Sequence, residues 1–106
     1  MSKINVKGLI ATTPRHVTTI ENEEIASFRL AEAIQINDKH AINWFTIVGE
    51  KEMATQIESS FAKGDRVSIK GELQIIDWDN GDKNGTAVQI IATQIKMTKA
   101  VKRVAA

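Results

Sequence analysis

The chain has 106 residues and a mass of 11.7 kDa, the size of one domain, and folding would bury about 65% of its surface around one small core. It has no cysteine and only His16 and His40 as imidazoles, so disulfides, thiolate metal sites and cysteine nucleophiles are excluded and no cofactor is expected. The net charge of +1 conceals a segregation: residues 21–82 hold all 13 acids and carry a net of −7, between basic ends of +3 and +5. A fold that brings those ends together makes a positive patch that the overall balance hides. No apolar run is long enough to span a bilayer and no apolar block follows Lys3 and Lys7 as in a signal peptide, so the expectation is a soluble cytoplasmic domain without membrane contact.

In chain order, Ile4, Val6 and Ile10 alternate with Asn5 and Lys7 as in a strand, which ends before Pro14 because proline cannot donate a ladder hydrogen bond. Ala26, Phe28 and Leu30 alternate with Ser27 and Arg29 as a second strand. Ala41 to Val48, dense in β-branched and aromatic residues, is a third. From Glu50 to Ala62 the period changes: Met53, Ile57 and Phe61 form one helical stripe, with acids at its start and Lys63-Gly64 as its stop. Val67 to Ile75 alternates again, with Gly71 marking a bend. Asp79-Asn80-Gly81-Asp82 and Asn84-Gly85 are turn signals. The last strand runs from Thr86 to about Met97, and a parity switch predicts a bulge near Ile91–Ala92.

This order, all β with one helix between strands 3 and 4, fits a five-stranded Greek-key barrel of the OB type, with a small α+β sandwich as the competing fold. The barrel is expected over residues 1–98 and a short basic tail over 99–106. Trp44 has the parity opposite to Phe45 and Ile47, and Trp78 shares parity with Lys70, Glu72 and Gln74, so both indoles point outward. On parity alone, such a tryptophan suits a barrel cap or a subunit interface as well as a binding platform.

Gly8-Leu9-Ile10 leading to Pro14, Ala26-Ser27-Phe28-Arg29-Leu30-Ala31, Asn43-Trp44-Phe45, Phe61 through Leu73, and Trp78 with its glycine-rich hairpin resemble the bacterial single-stranded DNA-binding protein (SSB) family. The resemblance covers about residues 3–98. It implies an OB fold, usually a homotetramer (a dimer is the next choice), that binds single-stranded DNA without sequence choice and protects it in replication, recombination or repair. By family position Trp44 and Trp78 stack on bases, and Lys3, Lys39 and Lys63 fall where the family carries basic residues. Ile36 replaces a further family aromatic, and Ile76 stands in a stretch, Gln74-Ile75-Ile76-Asp77, that is commonly basic. Strand parity adds Arg29 and Lys70 to the binding set, and the hairpin adds Lys83. Asp77 beside the binding face implies weaker binding and a shallow salt dependence.

The family usually ends in a linker and an acidic tip that recruits repair enzymes. This sequence ends Lys99-Ala100-Val101-Lys102-Arg103, so no acidic-tip recruitment is expected. Asp77, Asp79 and Asp82 read as a hairpin turn rather than a calcium loop, and no nucleophile accompanies His40 and Asp38, so no enzyme is expected. The competing function is an OB-fold protein-interaction module, of the primosome accessory type, with residual affinity for nucleic acid.

Overall fold

A computed structural model describes residues 2–99. It contains β1 (Ser2–Ile10), β2 (Arg15–Thr18), β3 (Glu24–Ile36), β4 (Lys39–Glu50), α1 (Glu52–Ser60), β5 (Arg66–Asp79) and β6 (Asn84–Lys99). The strands form one sheet in the order β1-β5-β6-β4-β3-β2. A further pairing of β1 with β3, Leu9 to Ala31 and Ile10 to Leu30, closes five of them into a barrel. The β4–β6 pairing is parallel and the others are antiparallel.

The alternation that defined the strands fills this barrel. Val6, Ile10, Phe28, Leu30, Ile47, Val67, Ile69, Ile90 and Ile95 point inward, and Ala54, Ile57 and Phe61 close one end from the helix side. Ile10, Leu30, Ile47, Ile57, Ile69 and Ile90 are fully buried, each contributing about 1.5–3 kcal/mol relative to exposure.

β2 moves the helix in the strand count, from between strands 3 and 4 to between β4 and β5. Its four residues are all exposed, so they carry no apolar alternation to read; β2 is held by backbone pairing to Glu24–Ser27. The helix is also shorter than its stripe. Gly49 and Glu50 stay in β4, paired with Ala26 and Ile25, and Phe61 turns extended to bury its ring. After Phe61 the chain is fixed by buried Asp65, whose carboxylate accepts the Ala62 N–H at 3.0 Å. The Asp65 carbonyl accepts the Ile10 N–H at 2.9 Å, and the Gly64 N–H donates to the Ile10 carbonyl at 2.8 Å.

β3 and β4 run well past the predicted strands and meet at Asn37-Asp38, a two-residue turn with φ of 49° and 64°, the positive pair that a type I′ hairpin needs. Between β5 and β6 the turn is Asn80–Lys83, and Asn84-Gly85, expected as a second turn, lies within β6. The bulge is one residue beyond the predicted position: Lys70 faces Gln94 and Gly71 faces Ala92, leaving Thr93 as the extra residue.

Two arms result. β1 accompanies β5 only as far as Leu73, and β6 pairs with β4 only at Gln89–Ile91, so the rest of the β5–β6 hairpin is a two-stranded ribbon. The β3–β4 hairpin likewise continues beyond Ala31 and Trp44 without further partners. Because β4 and β6 are parallel neighbours and both run from arm tip into barrel, the two arms leave the same end. α1 follows β4 and covers the other end. Among the described residues no helix is long and apolar enough to cross a membrane.

Candidate functional site

Register places one polar row across four strands on the outer surface: Arg29 on β3, Thr46 on β4, Gln89 on β6 and Gln74 on β5. The Gln89 side-chain amide donates to Gln74 Oε1 at 2.9 Å and ties β6 to β5 at the root of their arm. One strand step toward the arm tips, on the same face, lie Ala31, Trp44, Ala87 and Ile76. A further step out are Ala33, Ile42, Gly85 and Trp78. Alternation therefore sets both indoles on one surface.

Trp44 is 52% exposed and Trp78 44%. The Arg29 guanidinium lies 5.4 Å from the Trp44 ring centroid, a cation–π pair that holds a positive charge beside a flat platform. The Arg29 backbone is itself bracketed: its N–H donates to Thr12 Oγ1 at 2.9 Å and its carbonyl accepts the Ala11 N–H at 2.8 Å. Trp78 rests on the bare backbone of Gly85 opposite, where a Cβ would come within 2.7 Å of the indole Cζ2.

Asp77 points the other way. It pairs with Thr86 on the opposite parity from Trp78, and its carboxylate accepts the Thr86 hydroxyl at 3.1 Å. The repulsion expected from an acid on the indole face is thereby reduced. Asp79 accepts the Gly81 N–H at 2.8 Å and Asn80 Oδ1 the Lys83 N–H at 2.9 Å, so these side chains build the turn. Among the described residues no three His, Asp or Glu side chains gather as metal ligands.

The other candidates are dispersed. Ile36 and Lys39 face each other at the tip of the β3–β4 arm, on the parity opposite to Trp44. Lys83 is exposed in the β5–β6 turn. Lys63, also exposed, follows α1 at the helix-covered end, and Lys3 and Lys70 lie on adjacent strands, β1 and β5. Phe45 packs against the core opposite Leu30. Sequence reasoning did not single out Thr46, Gln89 and Ile42, which share the indole face with Gln74; parity marks them as outward but not as lying on this side of the barrel. It also missed a hollow of about 340 Å³ where Lys7 and Arg66 meet Leu9, Ala31, Ala33 and Ile42.

A closed five-stranded barrel of this strand order, with exposed aromatics on the surface between its two arms, defines an OB-fold protein. The chain belongs to the single-strand binding protein family, whose model matches residues 1–98. It is 39% identical, over 87% of its length, to single-stranded DNA-binding protein 2 of Tropheryma whipplei, in strains Twist and TW08/27. The match spans 65% of the length of those relatives. In three dimensions it resembles the small single-stranded DNA-binding protein from Streptomyces coelicolor, with a TM-score of 0.74 at 26% identity over 91% of this chain and 93% of that one. The basic residues expected as a C-terminal tail lie, from Ala100 on, outside the described residues.

Proposed function

We propose that the protein binds single-stranded DNA without sequence choice, stacking bases on Trp44 and Trp78 and holding phosphates with Arg29 and the arm-tip Lys83, with no catalytic step. It would act in the cytoplasm, protecting single strands in replication, recombination or repair. The observation that carries this reading is the exposed Trp44–Arg29 pair on the surface shared with Trp78. Every base has a π face, so an exposed indole accepts any sequence, and a cation beside it meets the phosphate of the stacked nucleotide. Few cations stand on this face, so its salt slope is shallow, about −0.7 per phosphate contacted. Family membership supports the same reading. The back of the β5–β6 arm, where Ile75 (64% exposed) lies opposite Val88, supports self-association, and the family resemblance alone puts a homotetramer before a dimer.

Tryptophan fluorescence during titration with oligo-dT, at low and moderate salt and beside a duplex of equal length, tests the proposal. Strong quenching by the single strand alone is expected. A folded protein that shows none at low salt would turn the reading to a protein-interaction module.

A further inference from the structure

We propose that Asn80, in the turn of the β5–β6 arm, is a site of self-modification. Its side-chain amide is displaced by the Gly81 nitrogen to give a succinimide, which water opens to aspartate or isoaspartate. Asn5, Asn22, Asn37 and Asn43 precede Val6, Glu23, Asp38 and Trp44, whose side chains crowd the attacking nitrogen. Only Asn80 and Asn84 precede a glycine, which leaves that nitrogen open.

The fold separates these two. Cyclisation requires rotation about the asparagine ψ until the next nitrogen stands beside its Cβ. Asn84 pairs with Asp79 and Gly85 with Trp78 in the β5–β6 ladder, and the Trp78 indole is seated on Gly85. An extended strand holds the next nitrogen away from the Cβ, so reaction at Asn84 must first break the ladder and unseat the indole. Asn80 lies beyond Asp79, the last paired residue of β5, and both Asn80 and Gly81 are exposed. Gly81 has φ 95°, and a Cβ there would meet no atom within 4 Å, so nothing obstructs the bend.

Two hydrogen bonds of the turn point along the reaction. The Gly81 N–H donates to Asp79 Oδ1 at 2.8 Å, which draws the proton from the attacking nitrogen. The Lys83 N–H donates to Asn80 Oδ1 at 2.9 Å, which polarises the carbonyl under attack and meets the charge that develops on its oxygen. As the Gly81 N–Cγ bond forms, the side-chain amino group takes up the Gly81 proton and leaves as ammonia. Water then cleaves one of the two imide C–N bonds, at Cγ to give aspartate or at the main-chain carbonyl to give isoaspartate. The product sets a new carboxylate between Asp79 and Asp82, beside the arm-tip Lys83, and isoaspartate also adds a methylene to the main chain of the turn. A consequence for binding rests on the single-strand reading above; the chemistry does not.

The test incubates wild type, Asp79→Ser and Asn80→Ser for days in mildly alkaline buffer and follows them by peptide mass spectrometry. Trypsin cuts after Lys83 and so puts Asn80 and Asn84 in separate peptides. The Asn80 peptide of wild type is expected to gain the mass difference between NH₂ and OH, in two isomeric forms, while the Asn84 peptide lags. Asp79→Ser is expected to slow the gain severalfold. An Asn80 that stays intact, or an Asn84 that reacts as fast, overturns the site, and an unslowed Asp79→Ser overturns the part given to its carboxylate. Aged wild type is then expected to bind oligo-dT roughly twofold to fivefold more weakly than fresh protein at low salt, the effect of one exposed charge. Aged Asn80→Ser is expected to bind as its fresh form does. Modified wild type with undiminished affinity overturns the link to binding. If fresh wild type shows no binding, the single-strand reading fails, and the peptide masses still decide the modification.

Discussion

Trp44 and Trp78 are exposed to a similar degree on one surface, but the chain holds them in different ways. Trp44 stands two residues from Thr46, where β3, β4, β6 and β5 are all in register, and it carries Arg29 over its ring. Trp78 stands four residues beyond that row, on a ribbon of two strands, and is steadied by the absence of a side chain at Gly85. A two-stranded hairpin is marginal in water on its own, so a base stacking on Trp78 must also order the ribbon, whereas the barrel has already ordered Trp44. Equal exposure therefore does not mean equal contribution to binding.

The largest expected effect follows directly. Trp44→Ala should weaken oligo-dT binding by about 2–3 kcal/mol, the upper part of the range for one stacked base, and Trp78→Ala by about 1 kcal/mol. Titration of both variants at one salt concentration decides it. Equal losses, or a larger loss at Trp78, would mean that the ribbon is already rigid. Arg29→Gln isolates the cation over the ring: about 0.5–1 kcal/mol is expected, with a salt slope shallower by about 0.7.

Gly85→Val makes the comparison sharper, because it leaves both tryptophans in place. The added side chain occupies the seat of the Trp78 indole, so binding should fall by about 1 kcal/mol, as in Trp78→Ala. The melting temperature should stay within roughly 3 °C of wild type, since neither residue contributes to the core. A Trp44→Phe background reports the change through Trp78 emission alone. Unaltered emission there would show that the indole does not depend on Gly85.

The barrel and the turn of the β5–β6 arm were legible in the sequence, and the β3–β4 arm was not. Alternation over Val6–Ile10, Ala26–Leu30 and Val67–Leu73 reflects one face buried and one wet, the pattern that period-2 reading detects. On the arms both faces are wet, so Ala31, Glu32 and Ala33 carry no alternation and weak strand propensity, and the chain between Leu30 and Ala41 reads as a connection. Parity also separated Trp44 and Trp78 from the core. It could not group the outer residues, because a closed barrel turns one parity class to every side. Arg29 and Lys70 share outward parity, yet one lies beside Trp44 and the other on β5 across the ring.

The two arm turns allow the finest test of the difference. Asp38 closes the β3–β4 arm with φ 64°, a conformation that costs an aspartate more than a glycine, whereas the β5–β6 turn already uses Gly81 at φ 95°. Asp38→Gly should stabilise the first hairpin by about 0.5–1 kcal/mol, and Gly81→Ala should destabilise the second by about 1 kcal/mol. Denaturant unfolding reads both shifts. Binding should separate them: with Trp44 fixed by the barrel, Asp38→Gly should leave oligo-dT affinity unchanged, while Gly81→Ala loosens the ribbon that carries Trp78 and lowers affinity by a few tenths of a kcal/mol. If the tighter Asn37 turn raises affinity instead, the β3–β4 arm also orders on binding, and the contrast between the two indoles is one of degree.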